Sequence, residues 1–107
     1  MPATWDITID QGSSWLRTLT FDQPLTGLSA RGQIRRAHSA ADVLASFTAS
    51  VVDENTLALS LSAATTATLP LTSSTRWVYD IELHNGDDSY VERIVEGSVT
   101  VTPEVTR

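Results

Sequence analysis

Trp77-Val78-Tyr79-Asp80-Ile81-Glu82-Leu83-His84, then Asn85-Gly86-Asp87-Asp88, then a return from Val91 to Val101, is the stretch that decides the fold. In the outgoing arm Trp77, Tyr79, Ile81 and Leu83 share one face, and Asp80, Glu82 and His84 share the other. That period of two is the signature of a half-buried β-strand. Asn-Gly at the reversal is a strong hairpin signal, since a tight two-residue turn needs positive φ at both central positions. The return arm sets Val91, Val95, Gly97, Val99 and Val101 inward and Glu92, Ile94, Glu96, Ser98 and Thr100 outward, with Arg93 interrupting the inner set.

The same period runs outward from this hairpin. Trp5, Ile7 and Ile9 alternate with polar residues up to a turn at Gln11-Gly12-Ser13-Ser14. From Trp15 to Phe21 the alternation is imperfect, with Arg17 on the face of Trp15, Leu19 and Phe21. Pro24 and Gly27 then break the chain, after which Leu28, Ala30, Gly32 and Ile34 oppose Ser29, Arg31, Gln33 and Arg35. Val43, Ala45, Phe47, Ala49 and Val51 give a nine-residue strand, joined through Asp53-Glu54-Asn55 to a second strand carrying Leu57, Leu59 and Leu61. Only Ala63 to Leu69 reads as helical, because Ser62 can cap it and Pro70 must stop it.

Six or seven short strands and one helical turn in 107 residues predict a single all-β domain over residues 1–107, a small antiparallel β-sandwich of immunoglobulin-like type. Residues 103–107 form a short polar tail. The expected core contains Ile7, Ile9, Phe47, Leu59, Trp77, Tyr79, Ile81, Val99 and Val101. Trp15, just after Gly12-Ser13-Ser14 at the start of a strand, is the indole the pattern leaves open between the core and a partly exposed position that would suit stacking on a sugar ring.

The charge balance narrows the partners. A net charge of -6, with no lysine among the basic residues, disfavours phosphate backbones and anionic lipid heads, so neither nucleic acid nor membrane is expected as a partner. The opening Met1-Pro2-Ala3-Thr4-Trp5-Asp6 has neither a basic leader nor an apolar run, and no stretch approaches the roughly 20 apolar residues that cross a bilayer. Cysteine is absent, which removes disulfides, thiolate catalysis and cysteine metal sites.

Catalytic patterns are missing as well. His38 and His84 have no partner at ligand spacing, Gly-x-Ser-x-Gly is absent, and the glycines are scattered. The acidic turns at Asp53-Glu54-Asn55 and Asp87-Asp88 read as solvated turns rather than calcium loops. No enzymatic activity, cofactor or metal is expected. The residues singled out instead are surface ones. Arg31 and Arg35 project from one outer face, Asp80, Glu82, Glu92 and Glu96 from another, and they serve either as solvated cross-strand pairs or as a docking face. Pro103, Glu104, Val105 and Arg107 of the tail are candidates for lying along a neighbour, the alternative being a frayed terminus.

The order of phrases adds a resemblance. Ile7-Thr8-Ile9-Asp10-Gln11-Gly12, then Pro24-Leu25-Thr26-Gly27-Leu28-Ser29-Ala30-Arg31, then Gln33-Ile34-Arg35-Arg36, resembles small tailed-phage proteins of the upper-baseplate N-terminal type. Trp77 to Leu83 and Val95 to Arg107 look like the closing phrases of that group. The resemblance implies a non-catalytic virion module made in the host cytoplasm and assembling with other virion proteins, or with its own copies, in a symmetric particle. Tail, baseplate, neck and capsid decoration are all open to it, since the chain carries no fibre-attaching extension after Arg107. The other reading is a carbohydrate- or receptor-binding module.

Overall fold

The computed structural model describes residues 2–73 and 75–103. Among them are nine strands, β1 (Ala3–Thr4), β2 (Ile7–Asp10), β3 (Trp15–Thr20), β4 (Ser29–Arg35), β5 (Val43–Ser46), β6 (Thr48–Asp53), β7 (Thr56–Leu61), β8 (Trp77–His84) and β9 (Val91–Thr102), and one helix, α1 (Ala63–Ala67). The first sheet runs β1-β9-β8-β4-β5, with β2 also on β9, and the second runs β3-β7-β6. Together they form the expected β-sandwich. The pairings are antiparallel except at the N-terminus, where β1 and β2 both lie parallel to β9, Ala3 opposite Val95 and Ile7 opposite Val99.

The core lies between the sheets because the alternating sets meet there. Ile7, Ile9, Ile34, Tyr79, Ile81, Leu83, Val95, Val99 and Val101 from one sheet pack on Trp15, Leu57, Leu59 and Leu61 from the other, with Phe47 between them. β7 alternates without fault, burying Leu57, Leu59 and Leu61. Ser62 caps α1 by accepting from the Thr65 backbone N–H, and Thr66 anchors the helix by donating to Ser13 O at 2.8 Å.

The nine-residue strand expected over 43–51 is two strands. At Phe47 the chain leaves β4 and joins β7, so β5 and β6 belong to different sheets and close that side of the sandwich. The Phe47 N–H still reaches Gly32 O at 2.9 Å. Gly32 is needed at this crossing, since a Cβ there would sit 2.3 Å from Ile81 Cδ1 and 2.8 Å from Asp80 O.

The return arm of the hairpin also departs from simple alternation. Ile81 pairs with Val95 while Glu82 pairs with Arg93, which leaves Ile94 as an extra residue in a β-bulge. The bulge reverses the phase of everything before it. Arg93 moves to the outer face opposite Glu82, Val91 also turns outward, and Glu92 leaves the outer face to stand opposite Leu83. At the reversal the positive φ falls on Asp88 (58°) rather than on Asn85 or Gly86, because the connection is a longer loop closed from Asn85 N–H to Tyr90 O.

Candidate functional site

The outer face of the six-stranded sheet is a lattice of charge. Register sets Arg31, Glu82 and Arg93 in one row across β4, β8 and β9, and Gln33, Asp80 and Glu96 in the next. Arg31 Nε donates to Glu82 Oε1 at 2.6 Å and its Nη1 to Asp88 Oδ2 at 3.2 Å, so the hairpin loop is tied to β4. Those hydrogen bonds, to Glu82 first, hold the Arg31 pKa above the ordinary arginine range. Arg93 lies 3.4 Å from Asp80 and 3.2 Å from Glu96. Of the cross-strand pairs open to Arg31 and Arg35, Arg31–Glu82 is formed, and Arg93 adds a cross-strand pair with Asp80 and a contact within β9 to Glu96, each an exposed contact contributing about 0.2–1 kcal/mol.

The other surface candidates fall elsewhere. Among the described residues Arg35 meets no carboxylate, and it donates to Ala40 O and Ala41 O at 2.8 and 2.9 Å and to Gln33 Oε1, which fastens the loop between β4 and β5. Glu92 accepts from the Tyr90 hydroxyl at the tip of the hairpin. Pro103 is exposed just beyond β9, while Glu104, Val105 and Arg107 lie outside the described residues. The acidic turns bind themselves, Asp53 accepting from Asn55 N–H and Asp87 from Ser89 N–H.

Beside the lattice, where the chain turns from β5 into β6, lies a cleft of about 560 Å³ lined in part by Gln33, Arg35, His38, Ser46 and Asp80. Burial there raises the Asp80 pKa, against the opposing pull of Arg93. The groups around it are hydrogen-bond donors and acceptors. Among the described residues no three His, Asp or Glu side chains gather closely enough to hold a metal ion.

The outer face of the three-stranded sheet is the opposite of the lattice. Register places Leu16, Thr18 and Thr20 of β3 beside Ser60, Ala58 and Thr56 of β7, and Thr48 and Ser50 of β6 beyond them. The first two rows carry no charged side chain and the third ends on β6 at Asp53, opposite Thr56, while Leu16 is 60% exposed. The signal was present in the sequence, since the off-core positions of three separate stretches are all Ser, Thr, Ala or Leu, but it emerges only when the strands are placed side by side.

The structure decides the open position of Trp15 and moves Trp77 from the expected core to its edge. Trp15 is 5% exposed, in a row of tilted aromatic contacts from Trp5 through Phe47 to Tyr79. Trp77 is only half-buried at the end of the sandwich, where Nε1 donates to Pro70 O at 2.9 Å and the Arg36 guanidinium lies 5.0 Å from the ring. The indole left open as a sugar platform is thus the one most deeply packed.

No curated protein matches the chain in sequence. The model of the LtfC-like, beta-sandwich domain matches residues 1–102, in agreement with the two-sheet architecture, and it does not support the upper-baseplate N-terminal family in particular. With nearly the whole described fold inside that match, the chain belongs to the LtfC-like β-sandwich domain family.

Proposed function

We propose that the chain is a non-catalytic structural or adaptor module of a tailed-phage virion, held by protein–protein contacts in the tail, baseplate or neck, or on the capsid as a decoration subunit. The observation that carries this reading is the segregation of its two outer faces. Arg31, Arg93, Asp80, Glu82 and Glu96 on the six-stranded sheet pair with one another, whereas the rows of the three-stranded sheet present Leu16 with Thr, Ser and Ala side chains, flanked by the edges of β3 and β6 and charged only at the Asp53 end. Away from Asp53, such a face packs against protein without stranding a charge, and the edges offer backbone groups to a neighbour. Membership in a β-sandwich family and the virion-like phrases of the sequence support the same reading. The sugar-binding alternative loses its platform with Trp15 in the core.

The test is quantitative mass spectrometry of purified particles, with wild-type chain and with Thr18→Arg, which puts a charge in the middle of the neutral face. Wild type is expected at a fixed copy number, and Thr18→Arg is expected to stay folded while its incorporation falls at least about tenfold, the equivalent of about 1.4 kcal/mol. A chain missing from particles sinks the virion role. Full incorporation of Thr18→Arg sinks this face as the contact.

A further inference from the structure

The two ends of the sandwich differ as sharply as its faces. β9 has twelve residues, about 40 Å of strand, so the long 41 Å dimension of the molecule runs along the strands. At one end three connections meet. Phe21 and Asn55 exchange hydrogen bonds, Leu25 N–H donates to Glu54 O, and the β8–β9 loop stands beside them. Between them is a cleft of about 300 Å³ whose walls are polar and apolar in about equal measure, with Phe21, Pro24, Leu28, Leu83 and Ile94 among the apolar residues and Tyr90, 42% exposed, at the rim. Asp22 and Glu92 also line it, and Asp53, Glu54, Asp87 and Asp88 occupy the neighbouring turns. Most of the net negative charge is gathered at this tip.

The opposite end is built from the segment after α1 and the loop after β4. Leu71 is 48% exposed there, next to Pro70, whose carbonyl holds Trp77. Arg36 lies on the Trp77 ring, and Arg76, also exposed, precedes it in the chain. An exposed leucine at an end that also carries Arg36 and Arg76, the latter near enough to Asp6 to help lower its pKa, is the chemical complement of a half-apolar cleft rimmed by carboxylates.

We infer that the tip cleft receives the Leu71 end of a second copy of this chain, with Leu71 entering between Phe21, Pro24, Leu28, Leu83 and Ile94 and Arg36 and Arg76 facing Asp22, Glu54 and Glu92. The inference rests on the assembly reading above and supplies one of its contacts. The two surfaces joined are different, so the contact is heterologous and propagates head to tail, closing into a ring or running on as a stack according to the rotation between copies. The cross-section of 29 × 22 Å limits it to roughly 500 Å² per partner, the low end for a specific interface. It is a weak contact that a repeated particle multiplies.

Sedimentation equilibrium of the purified chain up to about 1 mM, the range in which so small an interface is measurable, tests it with two variants. Leu71→Asp sets a carboxylate against the acidic tip, and Tyr90→Asp blocks the cleft rim. Wild type is expected to associate with rising concentration, and each variant alone to associate at least about tenfold more weakly, the equivalent of about 1.4 kcal/mol. An equimolar mixture of the two is expected to stop at 1:1 dimers, because one sound cleft and one sound Leu71 end remain. Circular dichroism checks that both fold, and Arg76→Glu provides the same block through charge alone. A monomer at every concentration, association that survives both variants, or a mixture that does not dimerise overturns the inference. Particle incorporation reads the virion role separately, so a monomeric chain found in virions fails here while that reading stands.

Discussion

The Tyr79 hydroxyl donates to the backbone carbonyl of Trp5, joining residues 74 positions apart at the kink between β1 and β2. That kink crosses the inner side of β9 above Gly97, where an added Cβ would lie 2.3 Å from Trp5 O. Asp6 fastens the next step by accepting from Ser98 N–H at 3.0 Å. Tyr79→Phe is expected to lose about 1 kcal/mol in urea unfolding, the worth of one hydrogen bond. Gly97→Ala should cost more, about 1–3 kcal/mol, because the obstacle is backbone with little freedom to yield. Equal stability of Gly97→Ala and wild type would mean that the kink does not sit where it is described.

Replacing each tryptophan in turn separates the packed indole from the half-covered one. Trp15→Ala removes a side chain in contact with Trp5 and Phe47 and is expected to cost about 3–5 kcal/mol. Trp77→Ala loses one hydrogen bond and a stacked arginine at the edge of the core, and should cost clearly less. Thermal melts of the two variants give the order directly, and the reverse order would contradict the burial found for both.

The contrast shows what a period of two does and does not contain. Ile7, Ile9, Leu59, Tyr79, Ile81, Val99 and Val101 lie inside as the alternation requires, and Ser62 and Pro70 bracket the helix as their chemistry requires. Alternation says which face a side chain takes, and is silent on how far along the strand the core extends. Trp77 is on the inner face and still only half-buried, because it opens β8 at the end of the sandwich. The division at Phe47 was hidden because the same alternation continues through a change of sheet. The parallel pairing of β1 and β2 with β9 joins opposite ends of the chain, and no local pattern records it. The Arg31–Glu82 pair was readable from charge on facing strands, whereas the tip cleft draws on three distant connections.

The bulge at Ile94 makes an unusual deletion tolerable. Removing Ile94 joins Arg93 directly to Val95, so the pairs Glu82–Arg93 and Ile81–Val95 become neighbours in a regular ladder with every other side chain on its present face. The cost is the packing of one part-buried isoleucine, at most about 1.5–3 kcal/mol. Deleting Glu96 instead shifts the register of the strand by one residue and turns Val95 out of the core. Far-UV circular dichroism and melting should show the Ile94 deletion folded and the Glu96 deletion unfolded. Two unfolded deletions would mean that the bulge is a structural requirement.

Acid acts on this protein through carboxylates shifted in opposite directions. Asp6 and Asp53 are held below the ordinary value of 3.8 chiefly by backbone N–H groups of Ser98 and Asn55, and Asp87 by its hydrogen bonds to Ser89. Each favours folding above that value, and the benefit is lost as pH falls through the lower folded-state pKa. Asp80 is raised, first by burial, with Arg93 opposing and Glu82 and Glu96 reinforcing. Its charged form therefore works against folding at neutral pH, and the penalty is relieved as pH falls through its folded-state value. Asp80→Asn removes that ionisation. Relative to wild type it should be most stabilised near pH 7, with the difference shrinking as acid protonates Asp80 in the parent and levelling off below about 3.8. The change in Tm between the two proteins, followed across this window, is the measurement. It isolates the titration from any fixed difference between amide and carboxyl. A difference that grows in favour of the variant as pH is lowered would have the wrong sign, and would mean that the ion pair with Arg93 outweighs the burial of Asp80.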